Sequence, residues 1–394
     1  MSTRRPLTSI RPARRRRTVA GTAVVLASVA VMAAACSSAT PAASSTTGTP
    51  PTTAAASPTS LENWPTSSVS LQETGSSLLF PLFNLWVAQI QKQWPAVTVQ
   101  TASTGSGAGL TGAETGTANI GASDAYLAPA AVAQYPTLEN IPLAISAQQV
   151  NYNVTGLPAT THLKLSGKVL AAMYQGTITN WDNPKIAALN PGVKLPSLTV
   201  VPIHRVESSG DTFLFTSFLA ASDPSGWTIS PDTVVTWPNV PGSLSAMGNG
   251  GMVTACGSTP GCVAYIGISY LKQATTAGLG YAALQNKSGS FEIPTATSIT
   301  AEAAGFAGST PSSGTISMIY GSPAGGYPIV NYEYAIVSTK QPSALDAQAV
   351  KAVLAWAIDP TGGAASTYLD QVAFVPLPAA ITSISTKLIA KVSS

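Results

Sequence analysis

The chain has 394 residues, 45% of them hydrophobic and only 9% charged, which provides for two domains with cores and excludes a disordered chain. Its formal charge of +3 comes from a leader: seven Arg lie before residue 18, and without them 12 basic side chains face 16 acidic ones, a balance of about −4. That balance excludes a general attraction to nucleic acid, so any anion must be held by local geometry.

Arg4, Arg5, Arg11, Arg14, Arg15, Arg16 and Arg17 are followed by an uncharged stretch over 18–35, which ends Ala33-Ala34-Ala35 before Cys36. This is a basic n-region, an apolar h-region and a small-residue cleavage site. A Cys directly after the small residues is the lipoprotein pattern, in which residues 1–35 are a signal peptide and the Cys36 thiol carries a diacylglycerol. An uncleaved membrane anchor is the other reading. Both place the body outside the cytoplasmic membrane, and the first ties it by lipid to that membrane's outer face. Residues 36–68 are mostly Ser, Thr, Ala and Pro and read as a flexible tether. No later stretch approaches the roughly 20 apolar residues that span a bilayer.

Globular sequence begins near Val69. A strand is expected over 68–72, then a helix over 77–94 with Leu79, Phe83, Trp86, Val87 and Ile90 at helical spacing. A strand over 97–101, a Gly-rich loop over 104–109, a helix to about 116 and a strand over 120–122 follow. This strand–turn–helix repetition implies a parallel sheet. Further strands are expected over 148–154, 199–204 and 328–337. Helices are expected over 168–174, 184–189, 212–220 and 343–358, with a helical end.

Three loops each join a strand to a helix N-terminus: Thr74-Gly75-Ser76-Ser77-Leu78, Thr104-Gly105-Ser106-Gly107-Ala108-Gly109, and Ser208-Ser209-Gly210-Asp211-Thr212. A helix N-terminus offers unpaired N–H groups and partial positive charge, and small hydroxyl residues add donors without net charge. One such loop is ordinary helix capping. Three, with Arg205 before the third, point to an oxyanion site. Gly107-Ala108-Gly109-Leu110-Thr111-Gly112 also matches a dinucleotide fingerprint. The acid such a fold needs about 20 residues on is missing, because Asp124 comes too early. Neither His162 nor His204 has a triad setting, and there is no nucleophile elbow. No catalytic residue, cofactor or metal is therefore expected. Cys256 and Cys262 flank a Gly/Pro turn and read as a disulfide in an oxidising compartment. A metal site would need ligands beyond the two His.

Thr74-Gly-Ser-Ser, Gly105-Ser-Gly-Ala-Gly, Ile120-Gly-Ala-Ser-Asp124-Ala and the run from His204 to Thr216 occur in that order and at similar spacing in PstS-type phosphate-binding proteins. Tyr174 to Asp182, Ile186 to Gly192 and Tyr327 to Tyr334 also resemble that family, and the Cys256/Cys262 loop is shared with its Gram-positive lipoprotein branch. The resemblance implies an extracytoplasmic, monomeric receptor that binds inorganic phosphate for the membrane permease and ATPase subunits of an ABC importer. It also implies an α/β two-lobed periplasmic-binding-protein fold of type II. Each lobe is a mixed sheet flanked by helices, and two crossover strands form the hinge near 148–151 and Asn331. Lobe I is then 69–148 plus 331–394, and lobe II 149–330.

Carried over, the first loop donates from Ser76, Ser77 and the Leu78 N–H, and Ser106 donates from the second. Asp124 accepts the proton of a protonated phosphate. Arg205 pairs with the anion, steadied by Glu207, and Ser209, Gly210 and Asp211 close the third loop. Two positions depart from the family pattern. Leu78-Leu79-Phe80 stand before Pro81 where Thr and Phe are familiar, and Asp211 stands where many members have Thr. That acid either accepts a second phosphate proton or turns onto Arg205.

Overall fold

The computed structural model describes residues 57–394. The leader, Cys36 and most of the expected tether lie outside the described residues. The chain forms β1 (Val69–Gly75), α1 (Phe80–Gln93), β2 (Val97–Ser103), α2 (Ser106–Thr115) and β3 (Ile120–Ser123). Next, α3 (Pro129–Gln134) leads into the long strand β4 (Leu138–Tyr152). The middle of the chain holds β5 (Lys164–Leu165), α4 (Gly167–Tyr174), α5 (Pro184–Leu189), β6 (Val201–Arg205) and α6 (Gly210–Ser222). It continues with β7 (Leu244–Ala246), α7 (Gly248–Gly257), β8 (Cys262–Gly267), α8 (Leu271–Thr276), β9 (Gly280–Tyr281), β10 (Ala283–Gln285), β11 (Phe291–Glu292) and α9 (Ala296–Ala304). The chain closes with β12 (Val330–Ser338), α10 (Ala344–Ile358), α11 (Ser366–Leu369) and α12 (Ala379–Ala390).

The main sheet runs β2-β1-β3-β12-β4-β8-β6-β7, with β9 also on β4; β11, β10 and β5 form a small separate sheet. The strand–helix repetition at the start does give parallel pairs, β1 with β2 and with β3. The sheet as a whole is mixed, because β12 enters antiparallel to both β3 and β4, and β8 antiparallel to β4. β4 is the shared element: its residues 138–147 pair with β12, and 148–152 with β8. Its first ten residues escape the sequence pattern. They are buried on both faces apart from a half-buried Glu139, so no period-two alternation appears.

Helix starts differ from expectation for identifiable reasons. α1 begins at Phe80 rather than Ser77, because Ser76 Oγ accepts the Leu78 and Leu79 N–H groups at 3.0 and 2.9 Å and holds 77–79 as a turn. α2 begins inside the expected Gly-rich loop, at Ser106. Its small residues press against the sheet: a Cβ on Gly109 would stand 2.5 Å from the Ala122 carbonyl oxygen. The core fills with α1's Leu82, Phe83, Trp86 and Ile90, as the helical spacing implies.

Residues 57–68, read as the end of a tether, are instead bound to the fold. Trp64 stacks on Trp94 at 3.7 Å between ring centroids, Thr59 Oγ1 donates to Asp359 at 2.5 Å, and Gln348 donates to the Asn63 carbonyl at 3.1 Å. A single Trp in a Ser/Thr/Pro stretch supplies enough apolar area to dock the backbone around it. Cys256 at the end of α7 and Cys262 at the start of β8 form a disulfide, with Cα atoms 5.4 Å apart. Among the described residues no helix is long and apolar enough to cross a membrane.

Candidate functional site

The three sequence-predicted loops meet. Ser76 and Ser77 precede α1, Ser106 opens α2, and Gly210 opens α6. A fourth helix start, that of α7, joins them through Gly248 and Asn249. Each of these helices has at least ten residues, so four helix N-termini converge with their positive dipole ends.

Asp124, just past β3, is 2% exposed. Ser76 Oγ donates to its Oδ1, Ser106 Oγ donates to its Oδ2 at 3.2 Å, and its own N–H donates back to Ser106 Oγ at 3.3 Å. A Cβ at Gly210 would lie 2.6 Å from both Asp124 Oδ2 and Ser106 Oγ, so only Gly allows the third loop to close on the other two. Burial, and then the charge of Asp211, raise the Asp124 pKa to about 7. The Ser76 hydroxyl, Glu333 and the charge of Arg205 soften that rise without cancelling it.

Arg205 ends β6 and is 4% exposed. Its Nε donates to Glu207 Oε1 at 2.7 Å, and Nη2 donates to the same oxygen. Its Nη1 donates to Asp211 Oδ2 at 2.7 Å, and its Nη2 reaches Ser77 Oγ at 3.0 Å. Burial opposes its charge, yet the Asp211 and Glu207 carboxylates outweigh burial and keep the guanidinium protonated. Of the two roles open to Asp211, the structure has it turned onto Arg205. Its Oδ1 accepts from Gln148 at 3.0 Å and its Oδ2 from Asn249 at 2.7 Å.

Three groups matter that the sequence reading did not single out. Asn249 donates through N and Nδ2 to Ser77 Oγ at 3.1 and 2.9 Å, and its Oδ1 accepts the Gly267 N–H at 2.7 Å. Gln148 ties β4 to Asp211. Glu333, on β12, is fully buried behind Asp124. The Gly248-Asn249-Gly250-Gly251 run that opens α7 carried the same Gly-plus-polar signal as the other loops, and could have been found by it. Leu78 departs from expectation in detail, since its N–H is engaged by Ser76 Oγ. Ser209 Oγ, in contrast, is buried with no protein partner, as a donor reserved for something else would be.

A cavity of about 10 Å³ adjoins Asp124, lined also by Tyr126, Phe213, Met318, Asn331 and Tyr334. A far larger one, about 730 Å³, lies elsewhere against Val253, Lys272 and Gln371 and touches none of these buried ionisable groups. The small one has room for about one water and is lined by none of the loop hydroxyls or Arg205, so the converging loops, and not a preformed cavity, mark this place. His204 stacks on Trp237 at 5.2 Å, and His162 Nδ1 lies 3.1 Å from the Tyr281 carbonyl, so each has a local structural partner. Among the described residues no group of three or more His, Cys, Asp or Glu could hold a metal ion.

A family profile described as a PBP superfamily domain matches residues 40–361. The phosphate-binding protein PstS of Methanocaldococcus jannaschii is 30% identical over 318 residues, 75% of this chain and 80% of that protein. The protein of the same name from Pasteurella multocida is 33% identical over 243 residues, 61% of this chain and 67% of its own length. Among solved structures, a phosphate-binding protein from Stenotrophomonas maltophilia aligns with a TM-score of 0.62 at 19% identity, over 81% of this chain and 94% of its own, a likeness of fold. The two-lobed α/β architecture, the order of the motifs and the extent of these matches agree: this chain belongs to the PBP superfamily, in the family of PstS-type phosphate-binding proteins.

Proposed function

We propose that this protein binds inorganic phosphate between its lobes and hands it to the membrane subunits of an ABC phosphate importer, as a solute-binding subunit and not an enzyme. The observation that carries this reading is the pairing of an aimed donor set with one buried acid. Ser76 and Ser106 gather their hydroxyls on Asp124, the Leu78 N–H bonds Ser76, Arg205 reaches Ser77, and Ser209 Oγ is left unpartnered; with Ser77 and Gly210 these are the donors an anion would take over, beside Asp124 as the acceptor. Phosphate near neutral pH carries a proton on oxygen, whereas sulfate carries none. Asp124 accepts from the first and meets only lone pairs on the second. An unsatisfied buried acceptor costs about 1–3 kcal/mol, more when charged, so the site discriminates by about tenfold or more through repulsion.

Arg205 is shared between Glu207 and Asp211, which holds it fixed and partly neutralised. The remaining attraction comes from dipoles, consistent with a body of negative net charge. We place the lobes at 69–148 plus 331–394 and at 149–330, with β4 and the start of β12 as the crossings that bend when they close. On export, residues 1–35 are removed and Cys36 takes the lipid that holds this monomeric receptor at the outer face of the membrane. Both of those features lie outside the described residues.

Calorimetric titration of phosphate-stripped Cys36→Ser protein with phosphate, sulfate and a phosphonate tests the reading. Phosphate should give saturable heat and sulfate none at matched concentration. No heat from phosphate would overturn it, and preference for the phosphonate would move the assignment to another oxyanion.

A further inference from the structure

Glu333 has no role in the carried-over site, yet the fold directs it there. The antiparallel register pairs Tyr334 with Ser123, which sets Glu333 beside the residue that follows, Asp124. The β4–β12 ladder breaks its register between Glu333 and Tyr334, opposite Pro142 to Ala144. Such a bulge re-aims the side chain at the break. Asn331, two residues earlier on the same face, bridges the pair: its Nδ2 lies 2.9 Å from Glu333 Oε1 and 3.4 Å from the Asp124 carbonyl oxygen. Ser146 Oγ also donates to Oε1.

The other oxygen is the informative one. Glu333 is 0% exposed, its Oε2 receives no N–H or O–H donor from the protein, and its side chain neighbours that of Asp124. Two ionised carboxylates there would be acceptors facing acceptors, with no cation between them. Arg205 is engaged by Glu207 and Asp211 and hydrogen-bonds to neither acid, and at Asp124 the negative charge of Asp211 outweighs its positive one. Other elements packed on β12 bring no neutralising charge. Glu302 of α9 accepts from Gly321, Glu114 ends α2, Glu139 of β4 pairs with Lys391, and Tyr126 and Tyr334 present phenols.

We propose that Glu333 carries a proton on Oε2 and donates it to Asp124, so that the two acids form a dyad holding one proton, and that this dyad sets the alkaline limit of anion binding. In this arrangement Asp124 stays an acceptor toward the cleft while the pair bears one negative charge instead of two. When the proton is lost to water at high pH, the doubly charged dyad repels the bound anion. Burial first, and then the Asp124 charge, hold Glu333 far above the ordinary carboxylate range, in keeping with this proton.

The ligand half of this inference rests on the phosphate reading; the proton half does not. Two measurements on the exported protein separate them. In ligand-free protein at pH 8, the infrared difference between wild type and Glu333→Gln should contain a carboxylic-acid carbonyl band that shifts in heavy water. A pair of carboxylate bands in its place overturns the dyad, whatever the ligand. By calorimetry from pH 7 to pH 10, wild type should lose phosphate affinity by roughly tenfold or more, and Glu333→Gln by less than about threefold, since Gln cannot ionise. Parallel profiles overturn the proposal. Ser146→Ala is the second variant in case Glu333→Gln does not fold. It removes a donor that favours the ionised acid, so the alkaline loss should move to higher pH, and an unmoved midpoint overturns the role. If wild type binds no phosphate, the phosphate reading falls while the infrared result still decides the dyad.

Discussion

The two walls of the cleft use opposite chemistry. On the β6–α6–α7 side, Arg205 is charged, fixed by Glu207 and Asp211, and braced by Asn249 and Gln148. Most buried polar atoms there have a partner, with Ser209 Oγ, Glu207 Oε2 and Gln148 Oε1 the exceptions. On the β1–β3–β12 side, among the described residues, no cation hydrogen-bonds to either acid. Asp124 and Glu333 are buried together, served only by Ser76, Ser106, Ser146 and Asn331. The first wall spends its electrostatics on being rigid. The second leaves an acid whose pKa sits near 7, poised to notice whether a ligand brings a proton. On the proposed reading attraction and selection belong to different walls, and substitutions should separate them.

The largest effect is expected at the charged wall. Arg205→Met strands Glu207 and Asp211 in a buried site and removes the sole guanidinium there. Truncating one member of a buried charge pair costs about 2–5 kcal/mol, so phosphate affinity should fall by about 100-fold or more in calorimetry, with a lower melting temperature. Retained tight binding would show that Arg205 is only a strut. Asn249→Ala comes next. It removes bonds to Ser77, Asp211 and Gly267, and should weaken phosphate by about tenfold through loss of 1–3 kcal/mol of hydrogen bonding.

Asp124→Asn should act on selection instead. The sulfate-to-phosphate ratio of dissociation constants should narrow by about tenfold, and an unchanged ratio would place discrimination elsewhere. This substitution also tests the sign of the pH effect. The folded Asp124 pKa, about 7, is above its value in an unfolded chain near 3.9, so the folded state binds more protons between the two. Wild-type stability against denaturant should therefore be full below about pH 4 and decline as pH rises through 7, and Asp124→Asn should flatten that slope. Glu73 gives a control outside the cleft. Buried beside Thr101 and raised to about 8, it should contribute a similar decline that leaves phosphate selectivity untouched when it is changed to Gln. The smallest effect belongs to Trp64→Ala. Losing the stack on Trp94 should free the segment around it to proteolysis without changing affinity, which would confirm that this docking is separate from both walls.

Much of this was legible in residue order. Strand, small-residue turn and helix repeat plainly from Val69 to Asp124, because each element there is amphipathic and short-range in its signal. Arg205 and Asp124 stood out because a charge at the end of an apolar strand is conspicuous. β4 was half missed, since a strand buried on both faces has no alternation to read. Trp64 was hidden by the composition around it.

The sequence alone therefore determined the local parts: a strand–helix chain, hydroxyl-rich helix starts and the two charged residues, Arg205 and Asp124, at strand ends beside them. Only the tertiary structure decided how those parts were wired. Asp211 turned onto Arg205 because Gln148 and Asn249, 63 and 38 residues away, come to meet it. Glu333 reached Asp124, far distant in the chain, because β12 enters antiparallel beside β3 with a bulge at that point. Donor types are a property of residues and can be read in order. Which donor meets which acceptor, and which acid is left without one, depends on register and burial, and these exist only once the chain has folded.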